Sequence, residues 1–268
     1  MAEGGFALRS SLVFESSSVV IVDVCCGPGP LPPSGIEVEP AFAIGFPRRG
    51  VYVHETRTGS VVADPTVALF RSEGDEQKTR HPTTEGDANT EIQFPASIVE
   101  PLLDRHGRFR RRSVPIADSL AIRHLRLLAL AQSNSPTQLE IEEEALSLLR
   151  LAHSVPLQPE AYHPLIGNTR EQLASSYQED VDLATLAQRV GSSPFHLSRV
   201  FKQSTGISMS AYRSTLRIRH VLNGLAGGAG DLARLAVEAG FYDHAHMTTA
   251  FRRRVGSVPS VMRSLLVR

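Results

Sequence analysis

Hydrophobic and polar positions alternate with a period of two through the first third of the chain. Between residues 11 and 94 the runs VVIVDVCC, AFAIGFP, GVYVHET, SVVADPTVALF and TEIQF are β-branched or alternating. The turn clusters GPGPLPPSG, RRG, RTG and SEGDEQ separate them. Short strands at that spacing predict an antiparallel barrel or sandwich. From about Ile98 to Val155 the period lengthens to 3.6. A short helix over residues 97–103 and a basic run over 105–112 precede two amphipathic helices, ADSLAIRHLRLLALAQ and PTQLEIEEEALSLLRLAHS. Leu120, Leu125, Leu128, Leu139, Leu146 and Leu149 mark their apolar faces, and Glu142, Glu143 and Glu144 a solvated one. A helical lid on the barrel's own core is one use for such faces. Periodicity then fails across residues 156–167, where Pro156, Pro159, Pro164 and Gly167 read as a linker, and a new helix is expected over 169–178.

Beyond that point a pattern is written twice. Residues 182–206, DLATLAQRVGSSPFHLSRVFKQSTG, match residues 231–256, DLARLAVEAGFYDHAHMTTAFRRRVG, with one extra residue in the second copy, taken as Phe241. Asp182 and Asp231 stand as N-caps before apolar residues at three- and four-residue spacing. Gly191 and Gly240 supply the left-handed residue that ends a helix without steric cost. Ser193 and Pro194 then cap and open a second helix, with Leu197, Val200 and Phe201 as its buried stripe. Two short helices around a glycine turn, repeated, are helix-turn-helix grammar. The second helix leaves polar and basic side chains free to meet base edges and phosphates. The connecting segment, residues 208–222, predicts a strut of about 22 Å at 1.5 Å per residue. NGLAGGAG, residues 223–230, reads as a glycine-rich linker able to loosen the two halves.

The two copies, the segment SMSAYRSTLRIRHVL and the closing GSVPSVMR resemble the C-terminal DNA-binding domain of AraC/XylS-type bacterial transcription regulators. The most specific signature is in the second copy: Gly240, Phe241, Phe251, Arg252, Arg253, Gly256 and Pro259. The resemblance implies an α+β chain in three parts. Residues 1–155 would form a cupin-like antiparallel β-barrel for sensing or dimerisation with a helical connector, 156–168 a linker, and 169–268 an all-α domain of two helix-turn-helix motifs. It also implies a second use for the connector helices, as an antiparallel seam between protomers. By matched position, Phe195, Ser198 and Arg199 of the first reading helix face bases, with Ser192, Ser193 and Lys202 nearer phosphate; His196 belongs to the same DNA-binding set, toward solvent or the turn. The second helix, starting near Asp243, offers His244, Ala245, Thr248 and Thr249, with Arg252 and Arg253 flanking. Thr248 and Thr249 stand where many relatives place a Ser-Arg pair, which points this half toward backbone contacts or thymine methyls. Double-stranded promoter DNA is the implied partner, with a homodimer, a small-molecule effector, and RNA polymerase if the regulator activates.

Charge sharpens this picture. The chain has 28 Lys and Arg against 28 Asp and Glu, a formal net charge of zero. Residues 171–268 nevertheless hold twelve basic against seven acidic residues, so the C-terminal part is basic. Cys25 and Cys26 are adjacent and cannot staple distant segments, which fits a reducing cytoplasm. No leader and no apolar run of bilayer length is expected. For an effector pocket the polar residues of interest are Arg48, Arg49, Tyr52, His54, His81 and Asp87, the last two in a His-Pro…Gly-Asp element similar to one in some sensor domains of these regulators. The competing reading is a metal-dependent cupin enzyme with a DNA-binding tail. Its usual ligand set needs a His-x-His pair, a following Glu and a distant His. His54, His81 and His106 do not supply that arrangement, and the His-x-His pair His244 and His246 lies in the repeat, so no catalysis, cofactor or metal is expected. A third reading, a DNA-tethered adaptor whose barrel binds only other proteins, stays open.

Overall fold

The computed structural model describes residues 8–29, 32–57, 59–133, 136–156 and 164–267. It divides into two compact units, Met1–Gln158 together with Leu265–Arg268, and Pro159–Ser264. No helix among the described residues is long and apolar enough to cross a membrane.

The N-terminal unit is β-rich. Its strands are β1 (Leu8–Glu15), β2 (Val20–Cys26), β3 (Glu37–Val38), β4 (Phe42–Arg49), β5 (Tyr52–Thr56), β6 (Gly59–Ala63), β7 (Val67–Arg71), β8 (Glu76–Arg80), β9 (Asp87–Phe94) and β10 (Ser113–Pro115). They form two antiparallel sheets, one of six strands in the order β1-β2-β9-β4-β7-β10 and one of four in the order β3-β8-β5-β6. Helices follow: α1 (Ala96–Val99) continues into a 3-10 turn (Glu100–Leu102), and α2 (Asp118–Ala131) and α3 (Gln138–Ser154) form the connector pair.

Alternation along the strands decides what each face of the large sheet meets. Ile21, Ile44, Phe46, Phe70, Ile92 and Phe94 share one core with Leu120, Leu127, Ile141, Leu148 and Leu149 of α2 and α3. The connector helices therefore cover their own sheet, in line with the lid reading. Arg123 of α2 forks onto Glu144 of α3, with Nη2 2.7 Å from Oε2. Glu144 is thus part of the helix pairing, although the triple-glutamate run reads as wet. Leu139 departs from its expected place on the apolar face: it is 62% exposed in the first turn of α3, ahead of the residues that reach the sheet. On the other face of the sheet, Val67 and Leu69 pack with Tyr52, Val61 and Ala63 of the small sheet.

The C-terminal unit is helical: α4 (Pro164–Ser175), α5 (Leu183–Arg189), α6 (Pro194–Thr205), α7 (Met209–Ala226), α8 (Leu232–Glu238), α9 (His244–Val255) and α10 (Pro259–Leu266). Three expectations need correction here. α4 begins at Pro164, five residues before Thr169, because proline is well placed in a first helical turn and Ile166 is buried. The part of the expected linker over residues 157–163 lies outside the described residues. α7 runs through Asn223 and Gly224 to Ala226, held by the fully buried Leu225. The glycine there makes a close approach: a Cβ on Gly224 would meet Leu235 Cδ1 at 2.5 Å. What read as a loose linker is a packing contact, and the real turn is confined to the residues just before Asp231.

Candidate nucleic-acid interface

Each copy of the repeat folds into the same device. Asp182 accepts from Thr185 N–H at 2.7 Å and Asp231 from Ala233 and Arg234 N–H, opening α5 and α8. Leu186 and Ala187, and equally Leu235 and Ala236, bury the inward faces. Gly191 and Gly240 then take φ of +67° and +82°, as the left-handed turn requires. After the glycines, Ser192 N–H donates to Ala187 O and Phe241 N–H to Ala236 O, both at 2.9 Å. Phe241 is therefore the counterpart of Ser192, and the inserted residue is Tyr242, against the sequence alignment. Ser193 caps α6 by accepting from His196 N–H, and Asp243 caps α9 by accepting from His246 N–H at 2.7 Å.

From those caps onward α6 and α9 correspond residue for residue. Leu197 and Phe201 of α6, like Met247 and Phe251 of α9, are fully buried. Val200, expected in the stripe, is half-buried. The opposite stripe at i, i+3, i+4, i+7 spacing is Phe195, Ser198, Arg199 and Lys202 in α6, and Ala245, Thr248, Thr249 and Arg252 in α9. Phe195 is 80% exposed. Ser193, His196, Ser198, Arg199, Lys202, Asp243, His244, Ala245, Thr249, Arg252 and Arg253 are exposed, while Ser192 and Thr248 are half-buried. Thr248 Oγ1 lies 3.4 Å from His244 Nε2, and the His246 ring stands edge-on to Phe241 at 5.4 Å. Tyr242, missed by the sequence reading, is 89% exposed in the turn that leads into α9. The one-residue insertion ahead of the cap was its signal.

The long helix α7 and the turn of the second half converge on the short segment after α4. Arg217 of α7 donates to Tyr177 O at 2.7 Å and Gln178 O at 3.2 Å, and Arg213 to Val181 O at 2.9 Å, with Asp180 as its ion-pair partner at 2.9 Å. Burial, and then the neighbouring Arg213, hold the Arg217 pKa below the usual guanidinium range. Its guanidinium lies over the Phe241 ring at 6.0 Å, and a Cβ on Gly240 would meet Gln178 O at 2.5 Å. The first half is braced from the other side: Phe201 stands edge-on to Tyr212 of α7 at 5.5 Å, and Arg170 of α4 donates to Tyr212 Oη at 2.9 Å.

Two short-turn helix pairs braced on one long helix, each exposing its second helix, define a tandem helix-turn-helix domain. Residues 186–264 match the helix-turn-helix domain family. The arabinose operon regulatory protein of Escherichia coli K12 is 32% identical over 111 residues, 39% of this chain and 38% of that protein. The HTH-type transcriptional regulator GlxA of Rhizobium meliloti is 28% identical over 102 residues, 38% of this chain and 31% of that protein. The chain thus spans well under half the length of these relatives. Among solved structures, ToxT of Vibrio cholerae matches over 94% of this chain and all of its own, at 11% identity and a TM-score of 0.39.

In the N-terminal unit, the face of β9 turned toward the small sheet carries Asp87, Asn89 and Glu91, in register with Cys26, Val24 and Val22 of β2. Arg71, at the end of β7, reaches Glu91 at 2.9 Å and Glu39 at 3.8 Å; His54 Nε2 lies 3.5 Å from Glu39 Oε1. His81 Nδ1 is hydrogen-bonded to Asp87 Oδ2 at 2.7 Å, and the His81 ring lies 6.4 Å from that of Tyr52. Four of the named polar residues, Tyr52, His54, His81 and Asp87, thus line this polar interior. Arg48 does not: a bulge between Pro47 and Arg49 turns it onto Asp23, on the face that carries Ile21 and Ile92. Glu39 Oε1, His54 Nε2, Arg71 Nε and Asn89 Oδ1 are buried without a hydrogen-bond partner among the described residues. Burial raises the Tyr52 phenol pKa, and burial with the charge of Asp87 pushes the Cys26 thiol up to about 12. The sequence reading missed Glu39, Arg71 and Glu91: Arg71 closes the apolar strand β7, Glu91 lies in the largely polar β9 and Glu39 between β3 and β4, so no shared pattern marks them.

Proposed function

We propose that the protein is a sequence-specific regulator of transcription that reads double-stranded DNA with α6 and α9. One observation carries this reading: the two helices bury the same positions and expose matching stripes, apart from the half-buried Thr248, so a single chain presents two corresponding rods. The first stripe has Arg199, whose guanidinium can donate twice to guanine, and the second has Thr248 and Thr249, suited to thymine methyls or backbone. Ser192, Ser193, Lys202, Arg252 and Arg253 flank the stripes as phosphate contacts. The experiment is selection of bound genomic fragments by the purified full chain, followed by affinity for the selected site against scrambled DNA over a salt series. A selected motif with two half-sites about one helical turn apart supports the reading. Equal affinity for scrambled DNA removes it.

The N-terminal unit, in this proposal, is a cupin-like sensing and dimerising domain of a cytoplasmic homodimer. Its effector is a small polar molecule that meets Tyr52, His54, His81 and Asp87 and satisfies the buried donors and acceptors around Arg71. The unpartnered polar atoms there support this, because buried polar groups are ordinarily hydrogen-bonded. Arg48, paired with Asp23, contributes at most to the wall. The ligand acts only if it binds one arrangement of the chain better than another, so DNA affinity must change when it is added. RNA polymerase is the further partner if the effect is activation. The named relatives are transcriptional regulators, which supports a chain without catalytic activity.

A further inference from the structure

β2 ends on Cys26, which is paired in register with Asp87, the first residue of β9. His81 follows β8 directly, within hydrogen-bond distance of Asp87. One donor atom from each of Cys26, His81 and Asp87 lies within 4.8 Å of the other two. Cys26 and Asp87 are buried and His81 is half-buried. Backbone contacts hold these three segments together. A Cβ on Gly86 would overlap Cys26 O, and one on Gly50 would fall 2.8 Å from Asp87 Cα. Gly29 N–H donates to Thr84 O at 2.6 Å, stitching the turn after β8 to the end of β2.

We propose that Cys26, His81 and Asp87 form a three-ligand site for a divalent transition metal of the zinc class, with the remaining coordination position open. A sulfur, an imidazole nitrogen and a carboxylate oxygen form a donor set for a borderline-soft ion; calcium and magnesium prefer oxygen alone. Zinc is ordinarily tetrahedral, so three protein ligands leave a place for water or a small ligand. On binding, the Cys26 thiol releases its proton to solvent as the metal–sulfur bond forms, and the proton between His81 Nδ1 and Asp87 Oδ2 passes to Nε2 of the neutral ring, by way of solvent, freeing both atoms to bind the ion. No electron changes hands. The ion ties the end of β2 to the turn after β8 and stabilises the N-terminal unit. Cys25 provides an internal control: strand alternation sends it to the opposite face, where its Sγ lies 3.9 Å from Asp23 Oδ1.

The experiment uses the full chain, stripped with a chelator and titrated with cobalt(II), then with zinc(II). The expected result is a single cobalt ion per chain, with thiolate-to-cobalt charge-transfer absorption and the visible bands of a tetrahedral site, displaced by zinc. Cys25→Ser and the double variant His244→Ala/His246→Ala keep those spectra. Cys26→Ser loses the charge-transfer absorption, and its affinity falls by at least about tenfold. Circular dichroism establishes that each variant is folded. Asp87 is buried and its replacement can unfold the rim, so His81→Ala gives the second reading: a changed visible spectrum with charge transfer retained. No stoichiometric cobalt on the wild-type chain, or an unchanged spectrum in folded Cys26→Ser, overturns the proposal. DNA affinity of the stripped and loaded protein, measured in parallel, keeps this outcome separate from that of the DNA-reading helices.

Discussion

At the scale of single residues, Arg199 and Gly240 carry the sharpest consequences. Arg199→Ala is expected to cost about 1–3 kcal/mol of discrimination at one base position while leaving a salt-sensitive, sequence-independent affinity. Competition between the selected site and its single-base variants measures it, and unchanged selectivity would remove Arg199 from the reading set. Gly240→Ala is expected to destabilise the C-terminal unit by at least about 1–2 kcal/mol from the left-handed backbone alone. It should cost more than Gly256→Ala, because Gly256 has a similar φ of +78° with open space around it, whereas Gly240 abuts Gln178. Urea midpoints of the two variants decide this. The exposed stripes of α6 and α9 were legible because exposed and buried positions alternate at helical spacing within a repeat. The interior charges Glu39, Arg71 and Glu91 were not, since their partners are strands away in sequence and only the register of the sheet brings them together.

Among the elements, boundaries moved where packing outweighs local preference. β10 follows the basic run 105–112, where no strand is expected, and becomes a strand through its pairing with β7. α7 outlasted its predicted end because Leu225 and Gly224 pack inward. Both α2 and α3 were legible from their periodicity, but which surface they cover was not, since a leucine stripe fits a sheet or another chain equally well. The α3 element has a further consequence through His153. Burial, and then the nearby Arg111, hold its pKa below the usual histidine value. The unfolded chain therefore takes up this proton first as pH falls, and the contribution of His153 to stability is lost as pH drops below about 6.5. The urea midpoint of the N-terminal unit should fall between pH 7.5 and 5.5, and less so in His153→Gln. An equal fall in both proteins would assign the effect to other groups.

For the molecule as a whole, the repeat was legible apart from the place of its inserted residue, and the succession of strands, connector helices and repeat followed from the changes of period. What the sequence misjudged was stiffness, since a tract of glycines reads as slack whether or not a neighbour fills the space beside it. Arg213, Arg217 and Gly240 close on residues 177–181, and Phe241 lies under the Arg217 guanidinium, with α7 as the common beam. A Tyr177–Val181 span gripped from both sides acts as the fixed jaw of a caliper. Adding one base pair between half-sites turns the far one by about 35°. A caliper set to one opening cannot follow that rotation, so such an operator should bind through α6 alone, with a shallower salt slope and the footprint of a single half. Distance along the duplex then becomes part of the message, measured by the protein as strictly as the bases themselves.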